Sequence, residues 1–487
     1  MSSIQIARHR TALTRHELSR PLRLAINDGL LDSSSTAFDY GCGRGGDVQH
    51  LRSRGIECTG WDPNYSPDEK CTPADVVNLG YVINVIENPD ERASVLKQAW
   101  SLAQKVLIVS ARLSAEAREN NFASFEDGFI TRRLTFQKYY DQQELRNWID
   151  SVLGESSVAA GPGIFYVFRD QNIRQTFVAS KYRRAIAAPR LRRGDLIFER
   201  HKTLFEPLMT FITSRGRLPI ESELDAACDI VKEIGSLKHA FKIIRGVTGE
   251  QQWEEIREAR SQDLLIYLAL SRFGGRPRFS QLSCDLQLDL RAFFSTYTRA
   301  CELADNLLFS AGDPNTISNS CRESSVGKLT PGSLYVHVSA IPFLSPTLRI
   351  YEGCARAYIG AVEGANIVKL NHRWPQVSYL AYPEFERDPH PVLFASLVVP
   401  LQTFHIQYRE YAQSANPPIL HRKETFLPPN HPMRQRFERL TRQEEKYGLY
   451  EDTHTIGTKD GWEAALSKRG LSLSGHRVVR RKSPINH

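Results

Sequence analysis

Hydrophobic and polar positions in the N-terminal third of the chain alternate between strand-like and helix-like spacing. Short apolar runs at 74–82 and 106–109 predict buried strands. Apolar residues at helical spacing follow Asn88, which is placed to cap a helix, and Asp141 with Glu144 matches a capping box before a second helix. Strands and helices that alternate in this way predict an α/β fold with a mostly parallel, doubly wound, Rossmann-like sheet.

This pattern changes after residue 195 and again after residue 312. The middle of the chain carries helical spacing, for example at 263–270, whereas short β-like runs with frequent proline and glycine follow it, for example at 333–338 and 377–381. The sequence therefore predicts an N-terminal lead-in at 1–35, an α/β domain at 36–185, a helical domain at 195–312, a mixed β-rich domain at 313–440 and a basic tail at 441–487.

Composition places the chain among globular proteins and excludes several classes. Of the 487 residues, 41% are hydrophobic and 24% are charged. No apolar run approaches the length of a membrane span, and the first residues do not follow a signal-peptide pattern, so we expect a cytoplasmic protein without membrane contact. The 8 cysteines are scattered without a C-x-x-C pair, which predicts neither a metal site nor disulfides.

A glycine-rich segment follows the first predicted strand. Gly41, Gly43 and Gly45 come directly after Asp39 and Tyr40, and they open the next predicted helix. Glycine allows the unusual backbone angles of such a turn and lets a ligand approach the main chain closely. The following strand ends in a second carboxylate, Asp62, which suits the two hydroxyls of a ribose. The unit predicts a nucleotide-like cofactor.

Two cofactors compete for this turn. Gly41, Gly43 and Gly46 match the G-x-G-x-x-G pattern of dinucleotide sites. Asp39, however, suits the cationic α-amino group of S-adenosyl-L-methionine (SAM) and would repel a pyrophosphate. The D-x-G-x-G-x-G spelling resembles motif I of class I methyltransferases, so SAM is the cofactor that we predict. A glycine turn in an α/β domain that has lost its ligand stays open as the alternative.

Candidate acceptor residues follow the strand at 74–82. Asn78 and Tyr81 occupy the carboxyl edge of the predicted sheet, where amino-methyltransferases of DNA use a polar residue and an aromatic ring to hold a flipped base. We therefore predict that both are catalytic, with an ordinary strand-ending turn as the alternative. A second Asn-Pro-Pro segment begins at Asn416, but Ile419 stands where a ring should stack.

Basic residues are concentrated in three clusters, within a net charge of +8. These clusters would allow phosphate contacts and hence nucleic-acid binding, whereas solvated protein surface is the interpretation that we favour for each cluster taken alone. Their residues are Lys181, Arg183, Arg184, Arg190, Arg192 and Arg193; then Arg272, Arg276 and Arg278; and finally His476, Arg477, Arg480, Arg481 and Lys482.

Several longer segments are similar to one known family, the methyltransferases associated with bacterial DNA phosphorothioation systems. The similarity covers nearly the whole chain and is carried by segments 38–45, 60–63, 74–82, 334–339, 351–356 and 416–424. It implies a SAM-binding domain and a role beside DNA modification or restriction, with DNA and other DNA modification proteins as expected partners, without assigning a substrate or catalytic residues. We therefore expect a SAM-dependent methyltransferase that acts on DNA. The alternative is a non-catalytic DNA-binding or regulatory subunit with a degenerate methyltransferase fold.

The spacing after Asp62 departs from the general class I pattern. Only twelve residues separate Asp62 from Asp75, too few for a helix, a third strand and another helix. The acid that often recognises the adenine amino group from that third strand is therefore predicted to be missing, or to be replaced by Asp68, Glu69 or Asp75.

Overall fold

The computed structural model describes residues 6–117, 123–189 and 196–481. The chain divides into two compact units. The first unit comprises Met1–Asp170, Ile317–Leu344 and Tyr351–His487, and the second comprises Gln171–Thr316 and Ser345–Ile350.

A six-stranded sheet with the order β2-β1-β3-β4-β9-β8 organises the N-terminal part of the first unit. β1 pairs in parallel with β2 and β3, and β3 with β4, whereas β9 is antiparallel to both of its neighbours. The predicted α/β class and the mostly parallel sheet are therefore confirmed. The elements are α1 (Arg20–Asn27), β1 (Thr36–Tyr40), α2 (Gly46–Arg52), β2 (Glu57–Trp61), β3 (Ala74–Gly80), α3 (Pro89–Leu102), β4 (Ala103–Ser110), β5 (Ala123–Phe125), β6 (Gly128–Ile130), β7 (Phe136–Gln137), α4 (Gln142–Leu153), β8 (Val158–Gly161) and β9 (Ile164–Phe168).

Local sequence signals account for the ends of these elements. The Asn88 side chain accepts hydrogen bonds from the backbone at the start of α3, and Asp141 with Glu144 forms the predicted capping box of α4. Residues 62–73, between β2 and β3, contain neither a helix nor a paired strand beyond a single bridge. The third strand of the general class I pattern is therefore absent, as the spacing predicted.

Helices make up the second unit. They pack around a buried apolar cluster that includes Phe205, Leu208, Ile244, Trp253 and Ile256. The helices are α5 (Gln171–Ser180), α6 (Leu196–Arg200), α7 (Lys202–Arg215), α8 (Ala227–Ile234), α9 (Leu237–Thr248), α10 (Glu250–Leu270), α11 (Cys284–Phe294), α12 (Tyr297–Ser310) and α13 (Pro314–Arg322), of which α13 continues into the first unit.

The C-terminal part of the first unit is built on a second six-stranded sheet, antiparallel throughout, with the order β10-β11-β12-β13-β14-β15. It joins the N-terminal part through backbone contacts such as Ala361 N to Ala160 O at 2.8 Å. The elements are β10 (Lys328–Leu329), β11 (Ser333–His337), α14 (Pro346–Ile359), β12 (Ile367–Asn371), β13 (Gln376–Ala381), β14 (Ala395–Pro400), β15 (Gln407–Glu410), α15 (Arg434–Lys446), α16 (Lys459–Lys468), β16 (Leu471–Leu473) and β17 (Val478–Arg480).

The segment predicted as a basic tail differs from that expectation wherever it is described. Leu449, Trp462, Leu466 and Val478 are buried together in an apolar cluster, and β16 pairs with β17. The sequence concealed this because the apolar residues are widely spaced among charged ones. None of the described helices combines the length and the apolar composition that a membrane crossing needs.

Candidate functional site

A cavity of about 1300 Å³ opens at the carboxyl edge of β1, β2 and β3. Parallel strands present their carboxyl ends at one edge of a sheet, and ligands of α/β proteins bind there. Six of the seven predicted site residues line this cavity, namely Asp39, Gly41, Gly43, Asp62, Asn78 and Tyr81. The seventh, Gly45, caps the start of α2 beside the cavity.

The glycine turn has the backbone geometry that the sequence predicted. Gly41, Gly43 and Gly45 have φ angles of +79°, +53° and +73°, in the left-handed region that favours glycine. A Cβ on Gly41 would lie 2.5 Å from the Val82 side chain. A Cβ on Gly43 would lie 3.2 Å from the Cβ of Ala12. The turn therefore depends on glycine both for its conformation and for its space.

Asp39 and Asn78 form a buried pair beside this turn. They face each other across β1 and β3, and the Asn78 amide donates a hydrogen bond to Asp39 Oδ1 at 2.8 Å. Among the described residues this is the only hydrogen bond to the Asp39 carboxylate, and Asn78 Oδ1 is buried without a partner. Unpaired polar atoms at buried positions are costly and are common at functional sites. The structure thus brings together two residues that the sequence selected for different roles.

The electrostatics of the pair favour a cationic ligand. Burial, together with the nearby charge of Asp47, raises the pKa of Asp39 to about 7, although the hydrogen bond from Asn78 and the charge of Arg15 oppose the shift. Without a ligand, the buried charge of this carboxylate is unfavourable because it is removed from water. A bound cation would stabilise the ionised form.

Asp62 organises the loop that forms one wall of the cavity. Its Oδ1 accepts hydrogen bonds from the backbone of Asn64 and Tyr65, both at 2.9 Å, and its Oδ2 accepts one from Gly43 N at 3.0 Å. The carboxylate therefore ties the end of β2 to the glycine turn. Its role toward a ribose stays a prediction.

Tyr81 follows β3 in a conformation that is uncommon for a side chain of its size. Its φ angle is +60°, and its backbone N donates to the carbonyl of Ser110 at 3.0 Å. A left-handed tyrosine is strained, and such residues occur frequently at functional sites. The half-buried ring lines the cavity, with the guanidinium of Arg15 at 5.9 Å from its centroid.

The N-terminal segment 6–19 also lines the cavity, which the sequence did not indicate. Ser19 N donates to Asp47 Oδ1 at 2.7 Å, and Arg15 Nε lies 3.6 Å from Asp47 Oδ2. Asp47 belongs to the first turn of α2, where the helix dipole favours an acid. The buried carboxylate thus fastens the segment beside the glycine turn.

A second fastening holds the same segment on the side of α3. Arg8 donates to both carboxylates of Glu87 and Glu91, and the shortest of these contacts is 2.5 Å. Tyr65 OH also donates to the carbonyl of His9 at 3.0 Å. The opposite charges of Arg8 and of the acids at 87–91 could have suggested this contact. A single sequence, however, does not show which arginine pairs with which acid.

The proposed replacements for the adenine-recognising acid are not found in the cavity. Asp68 and Glu69 are exposed and do not line it. Asp75 lies at the opposite end of β3, where it bonds Thr36 and contacts Lys105 at 3.0 Å. None of the three carboxylates lines the cavity, because Asp68 and Glu69 face outward from the short loop and Asp75 lies at the far end of β3. Of the two alternatives, this favours the one in which the adenine-recognising acid is missing.

Other residues singled out by the sequence have structural partners. Asn416 Oδ1 accepts from Asp460 N at 3.0 Å in an exposed turn. Arg184 pairs with Asp263 at 2.6 Å, and Arg276 pairs with Asp305 at the same distance. Four other members of the basic clusters, Arg190, Arg192, Arg193 and Lys482, lie outside the described residues.

Within the part of the chain that the structure describes, no group of three or more His, Cys, Asp or Glu side chains is placed to hold a metal ion.

Comparisons with known proteins give matches among solved structures. No protein-family model matches the chain. No curated protein matches it either. A 1,6-didemethyltoxoflavin-N1-methyltransferase from Burkholderia thailandensis is 14% identical over 34% of this chain and 79% of its own, with a TM-score of 0.24. A SAM-dependent methyltransferase from Aquifex aeolicus is 15% identical over 33% of this chain and 95% of its own, also with a TM-score of 0.24. The magnesium protoporphyrin IX methyltransferase of Synechocystis PCC 6803 is 14% identical over 34% of this chain and 93% of its own, with a TM-score of 0.22. The likeness concerns the fold of about a third of the chain.

Proposed function

We propose that this protein is a SAM-dependent methyltransferase that acts on DNA, in the setting of DNA phosphorothioation or restriction. The observation that carries the proposal is the Asp39–Asn78 pair, which lies beside a left-handed glycine turn in one large cavity at the carboxyl edge of the sheet. A buried carboxylate with a single hydrogen bond beside exposed backbone is the arrangement that a ligand with an ammonium group and a nucleoside requires.

The acids beside the glycine turn favour SAM over a dinucleotide, although arginines line other parts of the cavity. The carboxylates of Asp39, Asp47 and Asp62 all line the cavity near the turn. A dinucleotide would place its pyrophosphate near the glycine turn, where these acids would repel it. The ammonium and sulfonium charges of SAM are instead attracted. Two of the solved proteins similar in fold contain bound S-adenosylhomocysteine, which is in keeping with this choice.

The residues of the cavity divide into those that hold the cofactor and those that face the acceptor. Asp39 would hold the amino group, Gly41 and Gly43 would allow close backbone approach, and Asp62 would hold the ribose while it fixes the loop. SAM, when bound, supplies a methyl group already activated by its sulfonium. The protein therefore has to align the acceptor and exclude water.

Asn78 and Tyr81 are the residues that we propose for the acceptor side. Through its amide, Asn78 positions Asp39, and its carbonyl oxygen Oδ1 is left without a partner, as an acceptor for an exocyclic amine would be. The half-buried ring of Tyr81 borders the same cavity and offers a stacking surface. This assignment makes an amino group of a base the methylated group.

The rival proposal is a non-catalytic DNA-binding or regulatory subunit with the same fold. Single-turnover transfer of a labelled methyl group from SAM to DNA separates the two. Asn78→Ala should reduce the rate by on the order of a hundredfold, as the loss of a transition-state hydrogen bond does. Asn416→Ala, a matched change in an exposed turn, should stay within about threefold of the parent protein.

The outcomes of this experiment are distinct. If Asn416→Ala is the damaging change, the acceptor site lies in the C-terminal part of the unit. If no methyl group is transferred while SAM still binds, the non-catalytic subunit is the better description. A result in which Asn78→Ala transfers normally contradicts the assignment of Asn78.

A further inference from the structure

A second cavity, of about 980 Å³, lies wholly within the helical second unit. It is bordered by α9, by the first turns of α10, by the end of α11 and by the residues that follow α7. We call it the α9 groove. Its lining contains the cationic side chains of Arg217, Lys238, Lys242, Arg245 and Arg257, and only two acidic ones, Glu250 and Glu254.

The acidic side chains of the α9 groove are already engaged. Arg245 forms ion pairs with both Glu250 and Glu254. Lys238, Lys242 and Arg257 are exposed, and the described residues include no ion pair or side-chain hydrogen bond to any of them. Three exposed positive charges therefore lie along one concave surface, and no described acid is paired with them to reduce their attraction for an anion.

Aromatic rings lie among these charges. Phe241 packs edge to face against the buried Trp253 with ring centroids 5.2 Å apart, and half-buried Phe293 forms another part of the lining. Rings interleaved with lysine and arginine are what an unstacked base with its phosphate requires. An acidic peptide would satisfy the charges but has no general use for the rings.

A small cavity of about 20 Å³ lies next to Phe293. Phe293 lines it together with Arg183 and Arg215, and all of its residues belong to the second unit. Arg215 lies 3.1 Å from Asp289, yet its buried Nε has no hydrogen-bond partner. Phe293 therefore lies between the α9 groove and a small cavity that also carries cationic side chains.

We propose that the α9 groove binds single-stranded nucleic acid, with Lys238, Lys242 and Arg257 on the phosphates and with bases against Phe241 and Phe293. The inference rests on the nucleic-acid part of the proposed function and is independent of methyl transfer. A single strand is favoured over a duplex because the rings lie inside a concave surface, where only an unstacked base can reach them.

Fluorescence anisotropy with a labelled oligothymidylate of about ten nucleotides tests the groove in the full-length protein. Lys238→Glu/Lys242→Glu should weaken binding by about tenfold or more and reduce the slope of log affinity against log salt by at least roughly 1.4. Lys202→Glu/Lys232→Glu makes the same charge change on exposed positions of the same unit outside the groove, and it should stay within about threefold. Equal effects of the two variants overturn the site.

Phe293→Leu separates stacking from charge because it removes the ring and keeps an apolar side chain. It should weaken the oligonucleotide by about fivefold or more and leave inorganic polyphosphate binding unchanged. An unchanged oligonucleotide affinity, or displacement of the oligonucleotide by polyglutamate at equal charge concentration, overturns the nucleic-acid assignment. Binding of S-adenosylhomocysteine should be unaffected in every variant, so failure of the groove and failure of the methyltransferase proposal are distinguishable.

Discussion

Two buried clusters of ionisable groups in the first unit differ in how many hydrogen-bond partners their central carboxylate has. At the carboxyl edge of the N-terminal sheet, the Asp39 carboxylate accepts one hydrogen bond from the part of the chain that the structure describes, and it borders a large cavity. In the C-terminal part, Glu444 is as deeply buried, but His390 Nε2 lies 2.6 Å from one oxygen and Tyr450 OH donates to the other at 2.6 Å. The Asp39 carboxylate thus has a side-chain partner on one oxygen only, whereas both oxygens of Glu444 have side-chain partners.

The pKa values respond to this difference. Burial dominates at Asp39 and raises its pKa to about 7. Burial acts in the same direction on Glu444, but the hydrogen bonds and charge of His390, with the Tyr450 hydroxyl, hold its pKa below the usual range. A buried charge with a partner for each oxygen serves the fold, whereas a buried charge with a single partner beside a cavity is the pattern that we expect of a binding site.

The largest effect that this comparison predicts is at Glu444. Glu444→Ala would leave the buried His390 and the half-buried Tyr450 without their partner, and we expect a loss of about 3–5 kcal/mol in the free energy of unfolding. Denaturant titration followed by tryptophan fluorescence measures it. Glu445→Ala removes a half-exposed carboxylate that pairs with Arg422 at 2.7 Å, and it should cost no more than about 1 kcal/mol. A similar loss in both variants would remove the distinction between the clusters.

A smaller effect is expected in the glycine turn. Gly41→Ala combines an unfavourable φ with a collision against Val82, and we expect it to cost about 2–4 kcal/mol and to abolish cofactor binding. Gly29→Ala is the matched control because Gly29 has φ +70° with nothing within 4 Å of the added Cβ. It should cost about 1 kcal/mol and leave cofactor binding intact. Equal stability of the two variants contradicts the tight packing of the turn.

Asp39→Asn should increase the free energy of unfolding at high pH, whereas the preceding substitutions decrease it. The folded-state pKa of Asp39 is about 7 against an ordinary 3.8, so the native protein binds more protons than the unfolded chain between these values. This contribution to stability is present below about pH 4 and is lost as the pH rises to 7. At pH 8 the variant should therefore be more stable than the parent by about 1–3 kcal/mol. Urea titrations at pH 5 and pH 8 measure the difference, and a variant less stable at pH 8 would show that the charge serves the fold.

The smallest predicted effect on stability is at the N-terminal segment. Arg8→Gln removes a partly exposed contact to Glu87 and Glu91, and it should change the free energy of unfolding by less than about 1 kcal/mol. Because the segment lines the cavity, the dissociation rate of S-adenosylhomocysteine should rise severalfold in stopped-flow measurements. Arg10→Gln, on the same segment, serves as the control. An unchanged dissociation rate would make the Arg8 contact purely structural.

The sequence predicted the parts of the molecule that depend on neighbouring residues. Local sequence and spacing predicted the glycine turn, the cap at Asn88 and the absence of the third strand. The described residues agree with all three predictions. The sequence placed Asp39 and Asn78 at the same edge of the sheet, because parallel strands end there. It did not predict their hydrogen bond, which depends on the register of β1 with β3.

Contacts between distant segments were not predictable in this way. The link from Ser19 to Asp47 and the partners of Glu444 join residues far apart in the chain, and charge alone permits many pairings. The C-terminal residues were assigned to a tail for the same reason, because Trp462 and Val478 acquire their apolar neighbours only on folding.

Calorimetric titration of S-adenosylhomocysteine at pH 8 tests the cofactor site most directly. The parent protein should bind it, Asp39→Asn should bind it at least about tenfold more weakly through loss of the charge-assisted contact, and the exposed matched control Asp68→Asn should bind it as the parent does. NADH should give no heat. Binding of NADH in place of S-adenosylhomocysteine, or equal affinity in Asp39→Asn and the parent, would contradict the assignment of this cavity to SAM.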